Sequence, residues 1–430
     1  MNKIAKIALG VAFLGIVLVI ISCAPQETAI QQPEQKKMTA EDSARIALEI
    51  KKYLSFGLEY YKNKQYNDAI RNFKKVLSMD PSNEFAHKYL ADSYLRHPDS
   101  TMIDSAFVLY SSAIKKFPNT AYFYSGYGYV LHKVARRYAD LAEQESDSAK
   151  KEALQNKSGA LIDSALVNFH KAVELDTGDY ASMNALGTIY LSRGRLDSAM
   201  MWLGKSVEID SNQVEIWNIL AKIYVARGLN KEAARAYKHL HRLMPEKSEY
   251  LLKYGQYLAK SGDLKNSLDI LNEYINKNPN DYRGYQYLGL VMAFQKNYKD
   301  ALRQLKKAEK LNPKSVKLMC DIASVYKDMK NYALARRYLA KAKKIDPKFG
   351  YIYIVEGDIV YQQAMDLVPE SGELNMAAKC KLLTAYKIYK KALADPNWAG
   401  FAKSKMDYLK KYLPTREEIK AYEFMGNKCE

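Results

Sequence analysis

The chain is poor in the residues that chemistry usually requires. It has 4 Cys and 6 His in 430 residues. No two cysteines stand in a CxxC spacing, which argues against a structural zinc or a redox centre. His239 and His241 are two apart and point to different sides of a helix, a poor metal pair. There is no Gly-rich phosphate loop and no nucleophile elbow. The acid pair Glu417-Glu418 sits at a helix start, where Thr415 caps and Glu418 completes the box. The reading is therefore non-catalytic, with no catalytic residue, no cofactor and no metal. Acidic residues are in deficit too, 48 against 66 Lys and Arg, for a net charge of +18. The lysines are scattered over outward helix positions rather than gathered in one run. That pattern reads first as a solvated face and second as an anionic partner, with nucleic acid not expected.

What the chain has is a repeat. In Ile50–Asn83, Tyr53, Phe56 and Tyr60 fall at spacings of three and four, one helical face. Ala69, Phe73 and Val76 make the same stripe on a second helix. Gly57 and Ala69 are small because the two helices approach closely there. The polar run Lys62-Asn63-Lys64-Gln65 is the turn, and Pro81 stops the second helix. One such hairpin cannot bury both faces, so it must stack on copies of itself.

The copies follow from Glu84, Ala121, Tyr180, Val214, Ser248, Tyr282, Val316 and Gly350. One of the clearest runs Trp217, Leu220, Ala221, Tyr224, Ala233, Tyr237, Leu240, Pro245. Ser267 replaces the small Ala in one unit, and Thr177 and Ser211 stand where the closing Pro is usual. These exchanges are expected to weaken single repeats.

This pattern resembles the tetratricopeptide repeat family. The resemblance implies an all-α fold, a right-handed superhelical solenoid of about nine helix-turn-helix repeats, over 39–397, with capping helices in 398–430. It also implies that the second, fifth and ninth positions of each first helix line a concave face. Here those are Tyr122 and Tyr129, Asn184, Asn218 and Lys222, Gln256, then Arg283 and Gln286. A polar groove of amide and cationic groups suits a peptide backbone; ordinary solvated positions are the alternative. Of the 35 Tyr, most fall at core repeat positions, and only Tyr122 and Tyr129 look free to stack on a glycan. The reversed order of Asn218 and Lys222 does not match the family's carboxylate clamp.

Met1–Ser22 reads as a signal peptide. Lys3 and Lys6 precede an apolar run from Ile7 to Ile21, which ends in Ile20-Ile21-Ser22-Cys23. That end resembles the lipobox of bacterial lipoproteins, which implies a diacylglycerol on Cys23 and a mature chain starting there. An uncleaved anchor is the alternative, although the run is short for a span of about 20 residues. Ala24 in place of Asp implies the outer membrane, facing the periplasm. Residues 23–38 are polar and read as a flexible tether. Thr39 with Asp42 reads as the first helix cap.

Two insertions break the array, near 132–161 and 361–384. The first is expected to lengthen both helices of its hairpin to a charged tip, Glu143–Asp147. The second is expected to turn at Pro369–Gly372. Both are candidate recognition elements. Cys320 reads as a packed residue and Cys429 as a mobile one. The functional expectation is a lipid-anchored scaffold for proteins or peptides of the cell envelope. The rival is a ligand-capture lipoprotein that binds glycan or peptide.

Overall fold

In the computed structural model, residues 39–370 and 372–429 are described; the leader, Cys23 and the tether lie outside them. Twenty α-helices and no strand occur among the described residues. The chain divides into two compact units at Ser93/Tyr94.

In the first unit, α1 (Ala40–Lys62) and α2 (Tyr66–Met79) form a hairpin, followed by α3 (Glu84–Leu95), whose last turn holds the boundary. Thr39 caps α1 by accepting from the Asp42 amide. Gly57 is a glycine because a Cβ there would stand 2.7 Å from Cε1 of the fully buried Phe73. Lys64 takes the left-handed conformation, φ 60°, in the turn. Tyr61 donates to Asp92, and Phe73 stacks on Tyr89 at 5.8 Å.

The second unit opens with α4 (Met102–Lys116). The pair α5 (Ala121–Gln144) and α6 (Ser148–Leu175) comes next. These are the lengthened helices, and the chain turns between them where the polar run lies. Then come α7 (Tyr180–Ser192) and α8 (Leu196–Ile209), α9 (Val214–Ala226) and α10 (Asn230–Leu243), and α11 (Ser248–Lys260) and α12 (Leu264–Lys277). They are followed by α13 (Tyr282–Phe294) and α14 (Tyr298–Leu311), α15 (Val316–Asp328) and α16 (Tyr332–Ile345), and α17 (Gly350–Met365) and α18 (Met376–Lys391). Last are α19 (Pro396–Leu409) and α20 (Arg416–Phe424). The pairs from α5 and α6 to α17 and α18 each pack as a hairpin, and α11, α13, α15, α17 and α19 also touch in succession, forming a row of first helices. The core of this unit is a succession of clusters, each running through consecutive hairpins. That is the packing of a solenoid, where each repeat is stabilised by the next.

The tyrosines serve this packing. Tyr124, Tyr285 and Tyr353 each donate to the carbonyl of the proline six residues before, Pro118, Pro279 and Pro347, at 3.1, 3.1 and 2.8 Å. Trp217 does the same to Ser211, at 3.0 Å, so the missing proline costs that repeat no staple. Ser267, expected to weaken its hairpin, is accommodated there by a hydrogen bond. Its buried hydroxyl donates to the Gly255 carbonyl at 2.7 Å, so the polar group is satisfied where Ala usually stands. The turn position one repeat apart in Gly194, Gly228, Gly262, Lys296 and Lys330 has positive φ throughout. The two lysines there accept a strain of about 1 kcal/mol that glycine avoids.

Cys429 is not mobile, as the sequence reading had it. It forms a disulfide with Cys380 of α18, 49 residues away, while Cys320 is buried and free. The helix α20 buries no residue of its own. Besides the disulfide it is held by Lys379, whose ammonium lies 2.7 Å from Glu418. With so little buried surface its local opening free energy without the disulfide is near zero. Cys429→Ser should therefore leave the melting of the array unchanged while the amides of Ala421–Phe424 lose their protection in hydrogen exchange. Persisting protection in that variant would show that packing, not the covalent link, holds the segment.

Candidate functional site

The row of first helices in the second unit carries the polar side chains singled out as a groove, and most of them are committed to neighbours. Gln286 is 4% exposed and donates through Nε2 to Asp321 at 2.6 Å. It is a buried rivet between α13 and α15 rather than a groove residue. The Asp321 carboxylate also accepts from Lys317 at 2.9 Å. Burial pushes the Lys317 ammonium down, but the charge and hydrogen bond of Asp321 outweigh it and leave it raised. The Tyr351 phenol is pushed far up by burial and by the same carboxylate.

Arg283 is held by Asp281 and by Glu249 of α11, both at 2.7 Å. The hydrogen bond to Asp281, with the nearby carboxylate charges, strengthens its cationic form. Asn218 donates to Val214 and accepts from Tyr250 of α11 at 3.2 Å. Asn184 donates to Gln213 at 2.5 Å, and its own Oδ1 is buried without a partner.

Tyr129 is tied at its hydroxyl and stays 37% exposed. Its hydroxyl donates to the Ala181 carbonyl at 2.9 Å, and its ring meets Phe169 edge-on at 5.0 Å. Burial, with Asp179 nearby, pushes its phenol up to about 12. Tyr122 is half-buried against Phe123.

What remains open is narrower. Lys222 is exposed and Gln256 half-buried, and both are ninth positions of their repeats. The next ninth positions, Leu290 and Ser324, are half-buried as well. They were not singled out from the sequence, although their repeat position was the available signal. Lys222, Gln256, Leu290 and Ser324 thus form a strip with one cation, one amide, one aliphatic group and one hydroxyl. Such a strip can pair with backbone groups and cover one apolar side chain of an extended ligand.

Among the described residues no group of three or more His, Cys, Asp or Glu is placed to hold a metal. No helix among them is long and apolar enough to cross a membrane.

The tetratricopeptide repeat profile matches residues 53–83, the hairpin of α1 and α2. The chain carries tetratricopeptide repeats. A second repeat profile, that of the cytochrome c-type biogenesis protein H TPR domain, matches residues 191–318. The profile of regulator of microtubule dynamics protein 1-3 matches 293–350. A comparison with curated proteins finds no match.

Among solved structures, the repeats are similar to a tetratricopeptide repeat protein from Parabacteroides merdae ATCC 43184. The identity is 17%, over 64% of this chain and 99% of that one, with a TM-score of 0.44. They are similar to YrrB, described as a TPR protein with an unusual peptide-binding site, at 22% identity over 44% and 97% of the chains, TM-score 0.33. They are similar also to yeast Tom70, at 12% identity over 86% and 96%, TM-score 0.36. Proteins built of tetratricopeptide repeats are typically non-catalytic and bind proteins or peptides.

Proposed function

We propose that this chain is a non-catalytic scaffold that holds proteins or peptides of the cell envelope along its row of first helices. It is fixed to the membrane, the outer one facing the periplasm, by acyl chains on Cys23. The observation that carries the binding reading is the open strip of ninth positions from Lys222 to Ser324, beside neighbours that are pinned. The disulfide between Cys380 and Cys429 supports an oxidising compartment, as an exported chain would meet. The lipobox-like Ile20-Ile21-Ser22-Cys23 supports the anchor. Capture of a glycan on Tyr122 and Tyr129 loses support, because Tyr129 is tied to the backbone of α7.

A photo-crosslinking residue in place of Lys222, Gln256 or Ser324 tests the strip in living cells. Discrete adducts with envelope proteins are expected from these three positions, and none from Glu232 or Lys238 on α10. No adducts, or the same adducts from both helices, would end the reading.

A further inference from the structure

We propose that the outer surface of α14 and α16 is a seat for an anionic phospholipid bilayer. This goes beyond the scaffold reading and does not depend on the acyl anchor. Between Tyr298 and Lys348, Lys and Arg number 15 and Asp and Glu number 5. This short stretch carries a surplus of 10 out of the chain's net charge of +18. The two helices lie side by side, because Tyr338 and Lys341 of α16 both reach Glu309 of α14, at 3.0 and 3.1 Å.

Six of these 15 cations are paired: Arg303 with Asp300, Lys317 with Asp321, Lys327 with Asp328, Lys330 with Asp366, Lys341 with Glu309 and Lys343 with Glu356. Lys306, Lys310, Lys314, Arg337, Lys344 and Lys348 have no carboxylate partner among the described residues, and all six are exposed. Spacings of four and seven put Lys306 with Lys310, and Arg337 with Lys344, on one face of α14 and of α16, and Lys314 and Lys348 stand in the turns just after the two helices. Lys310 matches Lys344, and Lys314 matches Lys348, one repeat apart, so the two stripes run in register.

Inside this field stand two aliphatic side chains, Leu311 at 40% exposure and Ile345 at 44%. Each directly follows one of the matched lysines. Cations set around exposed aliphatic groups suit lipid headgroups above acyl chains. A single-stranded nucleic acid would ask instead for stacking rings. Like charges held this close without counter-charges also repel one another, so the field gains from an anionic surface.

The test uses the chain from Cys23 to Glu430 with Cys23→Ser, so that no acyl group contributes. Co-sedimentation is measured with phosphatidylcholine vesicles holding none or about 30% phosphatidylglycerol, so that only the surface charge differs. Binding is expected only to the anionic vesicles and should fall steeply with salt. Lys306→Glu, Lys310→Glu, Lys344→Glu and Lys348→Glu together should weaken it by about a hundredfold or more. Leu311→Ser with Ile345→Ser should weaken it by about tenfold at unchanged charge. Reversing Lys150, Lys151, Lys231 and Lys265 instead should leave it intact.

Equal binding to both vesicle types, or the same loss from either set of four reversals, overturns the proposal. So does binding of poly-L-glutamate without binding of vesicles, which would assign the face to an acidic protein. Circular dichroism of the variants checks that the exposed substitutions leave the fold in place. Relocalisation of the acyl anchor in cells is a separate readout, so the two proposals stand or fall independently.

Discussion

Replacing Phe169 by Ala should remove about 3–5 kcal/mol from the hairpin that holds it. Phe169 is fully buried in α6. Its ring fills the space that Gly128 leaves open on α5, where a Cβ would stand 2.8 Å away, meets Tyr129 edge-on, and belongs to the cluster that includes Leu131 and Leu186. Tyr129, tied to Ala181, is held back from collapsing into the void. The loss should also be local. In a one-dimensional array each repeat gains its stability from itself and its immediate neighbours. Hydrogen exchange should therefore show α5 to α8 losing most of their protection while α15 to α18 keep theirs. A uniform loss along the second unit, or a change under about 1 kcal/mol, would contradict a core built of neighbour contacts.

Removing the Cys23 thiol should abolish lipid labelling altogether. With Cys23→Ser, palmitate incorporated in growing cells should fall to background. The chain should then retain its leader, Met1–Ser22, since cleavage follows acylation in the family this segment resembles. The wild-type chain should begin at an acylated Cys23 by mass spectrometry. A wild-type chain that still starts at Met1 and carries no lipid would favour the uncleaved anchor over the lipoprotein. This outcome bears on the membrane attachment alone and leaves the repeat fold untouched.

The repeat was legible because its signals are local. Gly57 and Phe73, or Ala233 and Tyr237, stand at fixed spacings within one hairpin, and the close approach between two helices needs one small and one large partner. The capping box of Thr415 and Glu418 lies within a single turn and was readable for the same reason. The groove was only partly legible. Gln286, Arg283 and Asn218 occupy polar positions, but their partners Asp321, Glu249 and Tyr250 belong to adjacent repeats. Whether such a side chain faces a ligand or rivets two repeats depends on what the neighbour presents across the seam. The same applies to the cations. They read as scattered along the chain because a helix turn separates them, and they gather only when two second helices lie side by side.

The amino-acid order by itself determined the helical hairpin, its length, its turns and its stacking habit. Each rests on contacts three, four or some twenty residues apart, which recur in every copy. The folded chain decided which polar groups stay open, that Cys429 returns to Cys380, and that α14 and α16 present one cationic face. These depend on distances between repeats, and a periodic sequence leaves such distances to packing.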